Sequence, residues 1–310
     1  MSIFESFLRF IYHRIVDIVE NVLFECLYLW KIVTIKSCMT FADRNEKIII
    51  SLTTFPQRIR SAAIVIADMF IQTVKPDKII LYLAAEEFEN KKLPYLLLKE
   101  QKNGVEIVFC ENLYSHKKYF YTMQNYPHDV VITIDDDFRY KKDLIERLLL
   151  GYKKNPNCVS CCKANRMLFD NNNNLLPYNE WKDVDELFLP SLQNVAIGVG
   201  GVLYPPSEKS LHIETFSKDM IFRTCINADD LWLKIMEVMN EIPVQKVCRM
   251  RVKYVPASQR IALFKKNFCV SDCGKSKNDI QLENILKFYN EYFSKEDTLL
   301  NRIKTNADYI

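Results

Sequence analysis

Two patterns of hydrophobic and polar residues follow one another along the chain, and the change between them falls near residue 45. From Ser2 to Lys36, charged or polar side chains recur along one face of a helix and apolar side chains cover the rest. The longest uncharged stretch is shorter than the ~20 residues that cross a bilayer. The pattern therefore predicts an N-terminal amphipathic helical segment over residues 1–44 that does not span a membrane. Its apolar face is expected to pack on the rest of the chain, on a second subunit, or in peripheral contact with a membrane.

Short β-rich runs alternate with helical stretches from Glu46 onwards. The expected strands are Lys47–Leu52, Lys78–Leu83, Val105–Cys110 and Val130–Ile134. This alternation predicts an α/β fold with a mostly parallel central sheet that is flanked by helices on both faces. Since no long linker interrupts the pattern, residues 45–310 are expected to form one domain.

Polar residues come directly after two of these strands. Thr53 and Thr54 follow the first strand, and Asp135, Asp136 and Asp137 follow the fourth. Ligands of parallel α/β sheets bind outside the carboxyl ends of the strands. Both groups are therefore expected to line one crevice.

Composition excludes several classes of function. Apolar residues make up 49% and charged residues 26% of the chain, as in ordinary globular proteins. Lys and Arg (42) nearly balance Asp and Glu (39), so nucleic acid is not an expected partner. The chain has six glycines, and its one glycine cluster, over residues 198–201, fits neither a dinucleotide fingerprint nor a phosphate-binding P-loop.

The ten cysteines and the N-terminus point to a reducing compartment. Disulfide frameworks are typical of short secreted chains, and the first nine residues lack the basic start of a secretion signal. Reduced thiols are therefore expected, with the protein in the cytoplasm or at the inner face of the membrane.

The aspartate triplet carries the strongest chemical signal. Like charges at short distance repel, so three consecutive carboxylates are best tolerated when a cation lies among them. Asp135 and Asp137 can face the same side and offer hard oxygen ligands to Mn²⁺ or Mg²⁺. A cluster that caps the following helix is the alternative, and it explains one aspartate better than three. The triplet thus predicts a divalent metal site completed by substrate phosphates.

Four stretches in series resemble the GT-A-type nucleotide-sugar glycosyltransferases, in particular family-2-like bacterial enzymes of polysaccharide or lipooligosaccharide synthesis. They are SLTTFPQRI at 51–59, KKYFYTMQNYPHDVVITIDDDF at 117–138, GVGGVLYPP at 198–206 and NADDLWLK at 227–234. The resemblance extends over about residues 46–290. It implies a GT-A-like, Rossmann-like sheet, a nucleotide diphosphate-sugar donor and a glycan or lipid-linked acceptor.

The resemblance also implies roles for individual residues. Asp135 and Asp137 match the Asp-x-Asp motif that holds the metal and the diphosphate, and either Asp229 or Asp230, with Asp230 favoured, matches the general base of inverting members. The positions expected at the donor nucleotide are Thr53, Arg58, Lys117, Lys118, Asp135 and Asp136. Gly200 and Gly201 match a loop close to the donor or acceptor sugar.

Structural interpretations stand beside these roles. Thr53 can simply end a strand, Arg58 and the two lysines can belong to solvated faces, and Asp229 and Asp230 can cap a helix. Trp181 is a candidate for stacking on a sugar ring, with core packing as the alternative.

One departure from many GT-A enzymes concerns the metal shell. Those enzymes often take a further ligand, commonly His, from the C-terminal part, and the last histidine here is His212. Either water, Asn278, Asp279 or the diphosphate then completes the shell, or the dependence on the metal is weaker than in those enzymes. Residues 245–277 carry nine Lys or Arg and one acid, a basic strip that could meet a diphosphate or anionic lipid headgroups.

Two other functions compete with the glycosyltransferase. A haloacid-dehalogenase-like phosphatase or phosphotransferase also places Asp-x-Asp after a strand, but on its first strand and with Thr or Val where this chain has Arg139. A non-catalytic sugar-binding or scaffold protein would use the acids to hold a structural ion.

Overall fold

The computed structural model describes residues 44–250, 253–255, 275–289 and 298–305. The predicted N-terminal helix and most of the predicted basic strip lie outside these residues. The described strands, in chain order, are β1 Ile48–Thr54, β2 Lys78–Ala84, β3 Glu106–Cys110, β4 Val130–Thr133, β5 Val159–Cys161, β6 Ala164–Arg166, β7 Lys182–Asp183, β8 Asn194–Ala196, β9 Val202–Tyr204 and β10 Val244–Lys246. The described helices are α1 Ile59–Phe70, α2 Tyr95–Lys102, α3 Lys117–Asn125, α4 Leu144–Lys154, α5 Ser207–Ser210, α6 Lys218–Thr224, α7 Asp229–Met239, α8 Lys277–Tyr289 and α9 Leu299–Thr305.

The central sheet confirms the predicted fold class. Its strand order is β10-β5-β9-β4-β1-β2-β3. Strands β1, β2, β3 and β4 are mutually parallel, as are β5 and β10, whereas β9 runs antiparallel between β4 and β5. The chain is therefore a mixed α/β protein with a mostly parallel sheet and helices between the strands.

Burial explains why these segments form a covered sheet. Strand β1 is an IIISLTT run in which Thr53 alone is partly exposed, and every residue of β4 is buried. In α1, Arg60 is the one residue that is not buried, so this helix is covered on nearly all sides. Continuous apolar strands of this kind require helices on both faces.

Several element boundaries differ from the sequence expectation. The sequence pattern over residues 114–126 is helical and predicts one helix there, but the helix starts at Lys117, because a 3₁₀ turn occupies Tyr114–His116. The apolar stretch 194–204 divides into β8 and β9, with a 3₁₀ turn at Gly198–Gly200 between them. This division puts β9 in the central sheet and β8 in a separate antiparallel sheet of order β7-β6-β8.

Helix α7 is the main support for the C-terminal part of the described chain. Helices α8 and α9 pack against it, and Trp232 is fully buried at its centre. Among the described helices, none combines the length and apolar character needed to cross a membrane.

Candidate functional site

The aspartate triplet lies at the carboxyl end of β4, beside the carboxyl end of β1. The two strands are neighbours in register from Ile48 opposite Val130 to Ser51 opposite Thr133. Thr54, the last residue of β1, donates its hydroxyl hydrogen to Asp136 Oδ2 at 2.5 Å. The convergence expected from the strand ends is therefore present in the fold.

Arg58 bridges two of the three aspartates. Its Nη1 lies 2.9 Å from Asp136 Oδ1, and its Nη2 lies 2.9 Å from Asp137 Oδ2. All three side chains are buried, since β1 and the 3₁₀ turn at 56–58 bring the guanidinium under the triplet. A planar guanidinium presents its two terminal nitrogens in a fixed geometry, which suits two adjacent carboxylates.

The buried aspartates are not ordinary carboxylates. Burial raises the pKa of Asp136, while Arg58 and the Thr54 hydroxyl act in the opposite direction. Burial, reinforced by the charges of Asp135 and Asp136, raises the pKa of Asp137 to about 7. Ionising these two carboxyl groups therefore costs free energy, and an added cation would reduce that cost.

Lys118 connects the triplet to a second acidic pair. Its Nζ lies 2.7 Å from Asp135 Oδ1 and 2.8 Å from Asp229 Oδ2. The lysine side chain is 6% exposed, whereas that of Asp135 is 27% exposed and is the most accessible of the triplet. Residues 94 positions apart in the sequence thus share one ammonium group.

Asp229 and Asp230 occupy the first turn of α7, where the helix dipole favours acids. The backbone N–H of Gly198 lies 3.2 and 3.3 Å from the two carboxylate oxygens of Asp230. Burial would raise the pKa of Asp229, but the charge and the hydrogen bond of Lys118 outweigh it and the net shift is downward. Desolvation and the charge of Asp229 raise the pKa of Asp230 well above its usual range. The two neighbours therefore differ, with Asp229 as a counter-ion and Asp230 as the stronger base.

The 3₁₀ turn before α3 packs beside Asp229 and Asp230. The ring of His116 is fully buried, with Nε2 2.8 Å from the carbonyl oxygen of Cys225 and Nδ1 2.9 Å from the hydroxyl of Tyr119. Burial lowers the pKa of His116 to about 4, so the ring is neutral at physiological pH. Ser115 adds a side-chain hydrogen bond to Asp229.

The loop that follows the triplet is fixed at several points. Asp68 of α1 accepts two hydrogen bonds from the Arg139 guanidinium, at 2.6 and 2.8 Å, and a third from the Tyr140 N–H. The Arg139 N–H donates to the carbonyl of Lys253, and the Val255 N–H donates to the carbonyl of Asp137, both at 2.8 Å. A distant segment of the chain thus pairs with the backbone of the acidic loop.

Other residues selected from the sequence lie in different surroundings. The Thr53 hydroxyl donates to the carbonyl of Tyr82, and Lys117 donates to Asn112 Oδ1 at 2.8 Å. Trp181 is 7% exposed, packs on Tyr178 and donates its indole N–H to the carbonyl of Leu176. Its ring belongs to the hydrophobic core, which corrects the suggestion that it offers a face for sugar stacking.

The glycines of the 198–201 cluster have different surroundings from those expected for a loop close to a sugar. A Cβ on Gly200 would lie 2.5 Å from the backbone nitrogen of Lys163, so packing within the chain accounts for this glycine. Gly201 has a φ of +72°, a conformation that favours glycine. The glycine beside the acidic groups is Gly198, where a Cβ would lie 2.9 Å from Lys118 Nζ and 3.1 Å from Asp135 Oδ1.

Sequence reasoning therefore missed two contributors, Gly198 and His116, and it gave the donor-side role to Thr53, whereas Thr54 is the threonine that contacts the triplet. Thr54 ends the same strand as Thr53, and the alternation of side chains along a strand could have indicated that only one of them faces the triplet. The roles of His116 and Gly198 depend on contacts between segments that are distant in the sequence, and no local sequence pattern predicts such contacts.

The donor set fits a divalent cation of the Mn²⁺ or Mg²⁺ type. Carboxylate oxygens are the ligands these ions prefer, and within the described residues the carboxylates near the triplet outnumber the paired cations Arg58 and Lys118. The same part of the chain contains no group of three or more His, Cys, Asp or Glu arranged to hold a metal. The protein would therefore supply one or two carboxylates, Asp135 and Asp137, and phosphate or water oxygens would complete the shell.

No protein-family model matches the chain, and no curated protein matches it in sequence. Solved structures with a similar fold include S. aureus TarS, residues 1–349, in complex with UDP (12% identity, TM-score 0.41, 81% of this chain and 73% of that one). A mannosyltransferase from Pyrobaculum calidifontis in complex with GDP-Man and Mn²⁺ is similar at 9% identity and TM-score 0.40, over 95% of this chain and 90% of that one. A UDP-glucose pyrophosphorylase from Acinetobacter baumanii gives 11% identity and TM-score 0.40, over 81% of this chain and 95% of that one.

The match to a glucosyl-3-phosphoglycerate synthase from Mycobacterium tuberculosis, in complex with Mn²⁺ and UDP, is partial. It covers 37% of this chain and 43% of that one, at 12% identity and TM-score 0.30. Because identities and TM-scores are low throughout, the chemistry has to be derived from the residues of this chain.

Proposed function

We propose that the chain is a glycosyltransferase that moves a sugar from a nucleotide diphosphate-sugar to a hydroxyl group of a glycan or lipid-linked acceptor. One observation carries the proposal. A single ammonium group, that of Lys118, contacts Asp135 of the triplet and Asp229 of the acidic pair. A cation-binding carboxylate and a proton acceptor would thus lie side by side at the ligand-binding edge of the sheet.

The acidic pair supports proton transfer from the acceptor. Asp230 is half-buried, its carboxylate is held by the Gly198 N–H, and its raised pKa makes it a stronger base than an ordinary carboxylate. In the reaction, the acceptor oxygen bonds to the anomeric carbon as the bond between that carbon and the diphosphate oxygen breaks. The hydroxyl proton goes to Asp230, and the electron pair of the broken bond leaves with the diphosphate.

The triplet supports binding of the diphosphate. Asp135 and Asp137 would hold a divalent cation, which when bound supplies positive charge to the leaving diphosphate. Arg58 keeps Asp136 and Asp137 in one arrangement, because each of its terminal nitrogens is committed to a different carboxylate. Location in the cytoplasm or at the inner face of the membrane, and the division at residue 45, remain part of the proposal.

The phosphatase alternative has less structural support. The triplet follows β4 rather than the first strand, and Arg139 is committed to Asp68 of α1. Binding of nucleotide sugars distinguishes the proposed function from that of a non-catalytic scaffold.

The proposal is tested by thermal unfolding with UDP-, GDP- and CMP-sugars, with and without Mn²⁺. At saturating ligand the correct donor is expected to raise Tm by about 5 °C or more in the presence of Mn²⁺, because it binds the folded state alone. Asp135→Asn should remove this shift, whereas Asp219→Asn, on the exposed face of α6, should keep it. Stabilisation by phosphomonoesters but not nucleotides would favour the phosphatase, and no response to any ligand would contradict catalysis on nucleotide sugars.

A further inference from the structure

Two adjacent lysines, Lys117 and Lys118, begin α3, and the structure separates them. Lys117 Nζ donates to Asn112 Oδ1 at 2.8 Å, and Asn112 in turn donates to Glu86 Oε1 at 3.1 Å. Lys118 points to the other side, into the space between Asp135 and Asp229. The two lysines therefore cannot share one role at the diphosphate.

The ammonium of Lys118 is enclosed by chain atoms. Carboxylate oxygens of Asp135 and Asp229 lie 2.7 and 2.8 Å from it, and its side chain is 6% exposed. The third side is closed by Gly198, where a Cβ would come within 2.9 Å of Nζ. Withdrawing Lys118 toward a phosphate would leave two buried carboxylates without this partner, which is strongly unfavourable.

Four elements meet at this ammonium: the end of β4, the first turns of α3 and α7, and the 3₁₀ turn at 198–200. Asp230 follows Asp229 directly and is held by the N–H of Gly198. A displacement of Lys118 would therefore change the position of Asp230 relative to Asp135.

We infer that Lys118 is a positioning residue; this inference rests on the proposed function. Its ammonium sets the spacing between Asp135, on the metal side, and the pair Asp229–Asp230, on the side of the base. It does not bind the diphosphate. A positioning role and a ligand role give different kinetics. Loss of a diphosphate ligand weakens nucleotide binding, whereas loss of positioning lowers turnover with little change in nucleotide affinity.

The test uses Lys118→Met, with Lys118→Gln as a second variant in case the first folds poorly. Lys234→Met is the matched control, because Lys234 is a fully buried lysine that also pairs with a carboxylate, Glu237, further along α7. The control measures the effect of breaking a buried lysine–carboxylate pair on this helix without touching the site.

Three quantities are measured for each variant: the affinity for Mn²⁺ alone, the affinity for UDP, GDP and CDP with Mn²⁺, and kcat with the donor that stabilises the wild type. For Lys118→Met we expect Mn²⁺ to bind at least as tightly, because a competing positive charge beside Asp135 is gone. We expect the affinity for the diphosphate to stay within about threefold and kcat to fall on the order of 10²-fold. Lys234→Met should lower Tm and leave all three quantities near wild type.

A tenfold or greater loss of diphosphate affinity in Lys118→Met with kcat retained would overturn the inference in favour of a phosphate ligand. Unchanged kcat would overturn it as well. If the wild type binds no nucleotide, the proposed function is wrong, but the link that Lys118 makes between Asp135 and Asp229 can still be tested in the unliganded protein. There the unfolding free energies of Lys118→Met and Asp229→Asn, and of Lys118→Met and Asp135→Asn, must be non-additive; additive effects would remove the link.

Discussion

Neighbouring residues of the same type have different properties in this site, and the contacts of each explain the difference. Asp229 faces Lys118 and a downward shift of its pKa results, whereas burial and the charge of Asp229 raise the pKa of Asp230. The pair resembles catalytic sites in which two carboxyl groups in different surroundings divide the roles of counter-ion and proton acceptor.

The division of roles predicts the effect of Asp230→Asn. This variant should lower kcat by about 10²- to 10⁴-fold, the range for loss of a general base, with donor affinity nearly unchanged. In the wild type, the rate should rise with pH as Asp230 loses its proton, because only the ionised form accepts a proton, and this dependence should disappear in the variant. Single-turnover rates and donor titrations across pH measure both. Equal activity in the variant would place the base elsewhere.

At the scale of elements, the site depends on turns as much as on strands and helices. The turn at 198–200 lies between a strand of the small sheet and a strand of the central sheet, and it faces Lys163 on one side and Lys118 on the other. Gly200 is restricted by backbone atoms, whereas Gly198 is restricted by the end of a flexible lysine side chain.

These two glycines give a matched pair of substitutions. Gly200→Ala should lower the free energy of unfolding by about 1–3 kcal/mol, because the added Cβ would overlap the backbone of Lys163. Gly198→Ala should cost less stability, since its Cβ meets the ends of the Lys118 and Asp135 side chains at 2.9 and 3.1 Å rather than backbone at 2.5 Å, but it should reduce turnover by displacing these groups slightly. Denaturant unfolding and kcat separate the two effects. The reverse order, with Gly198→Ala more damaging to stability, would contradict the assigned contacts.

The sequence was sufficient for four of the seven described strands of the central sheet and for the acidic centre of the site. Alternating strand and helix patterns located β1 to β4, and charge repulsion within the triplet marked Asp135 to Asp137 as unusual. It was not sufficient for the position of β9, because a three-residue strand after a glycine turn has no period to detect. The roles of Lys117 and Lys118 could not be separated either, since one step along a helix turns a side chain by about 100° and the partners come from distant segments.

At the scale of the whole molecule, buried carboxyl groups make stability depend on pH. Burial raises the pKa of Glu100, Asp137 and Glu237 to about 7 in each case. Between the unfolded value near 4 and this folded value, the folded state binds more protons than the unfolded chain. The free energy of unfolding contributed by these groups therefore falls as pH rises from about 4 to about 7.

Asp137 is the member of this group that a metal would reach. The protein without metal should be less stable at pH 8 than at pH 6, and Mn²⁺ should raise Tm more at pH 8, where the carboxylate is ionised. Asp137→Asn should reduce the pH-dependent loss by about 1–2 kcal/mol and abolish the effect of Mn²⁺, with Arg58 keeping an amide oxygen as acceptor. Glu237→Gln serves as the control, since it should reduce the pH dependence and leave the response to Mn²⁺ intact. An Asp137→Asn protein that still responds to Mn²⁺ would remove this residue from the ligand set.

The pairing of Lys253 and Val255 with the backbone on either side of Phe138 has a consequence for biosynthesis. A nascent chain that has emerged from the ribosome as far as Lys246 already contains the described strands of the central sheet and Asp68, but not the two backbone partners that the acidic loop takes from residues 253–255. Translation must proceed beyond Val255 before these two hydrogen bonds can form. A ribosome that stalls at Lys246 would therefore display an acidic loop without its partner segment.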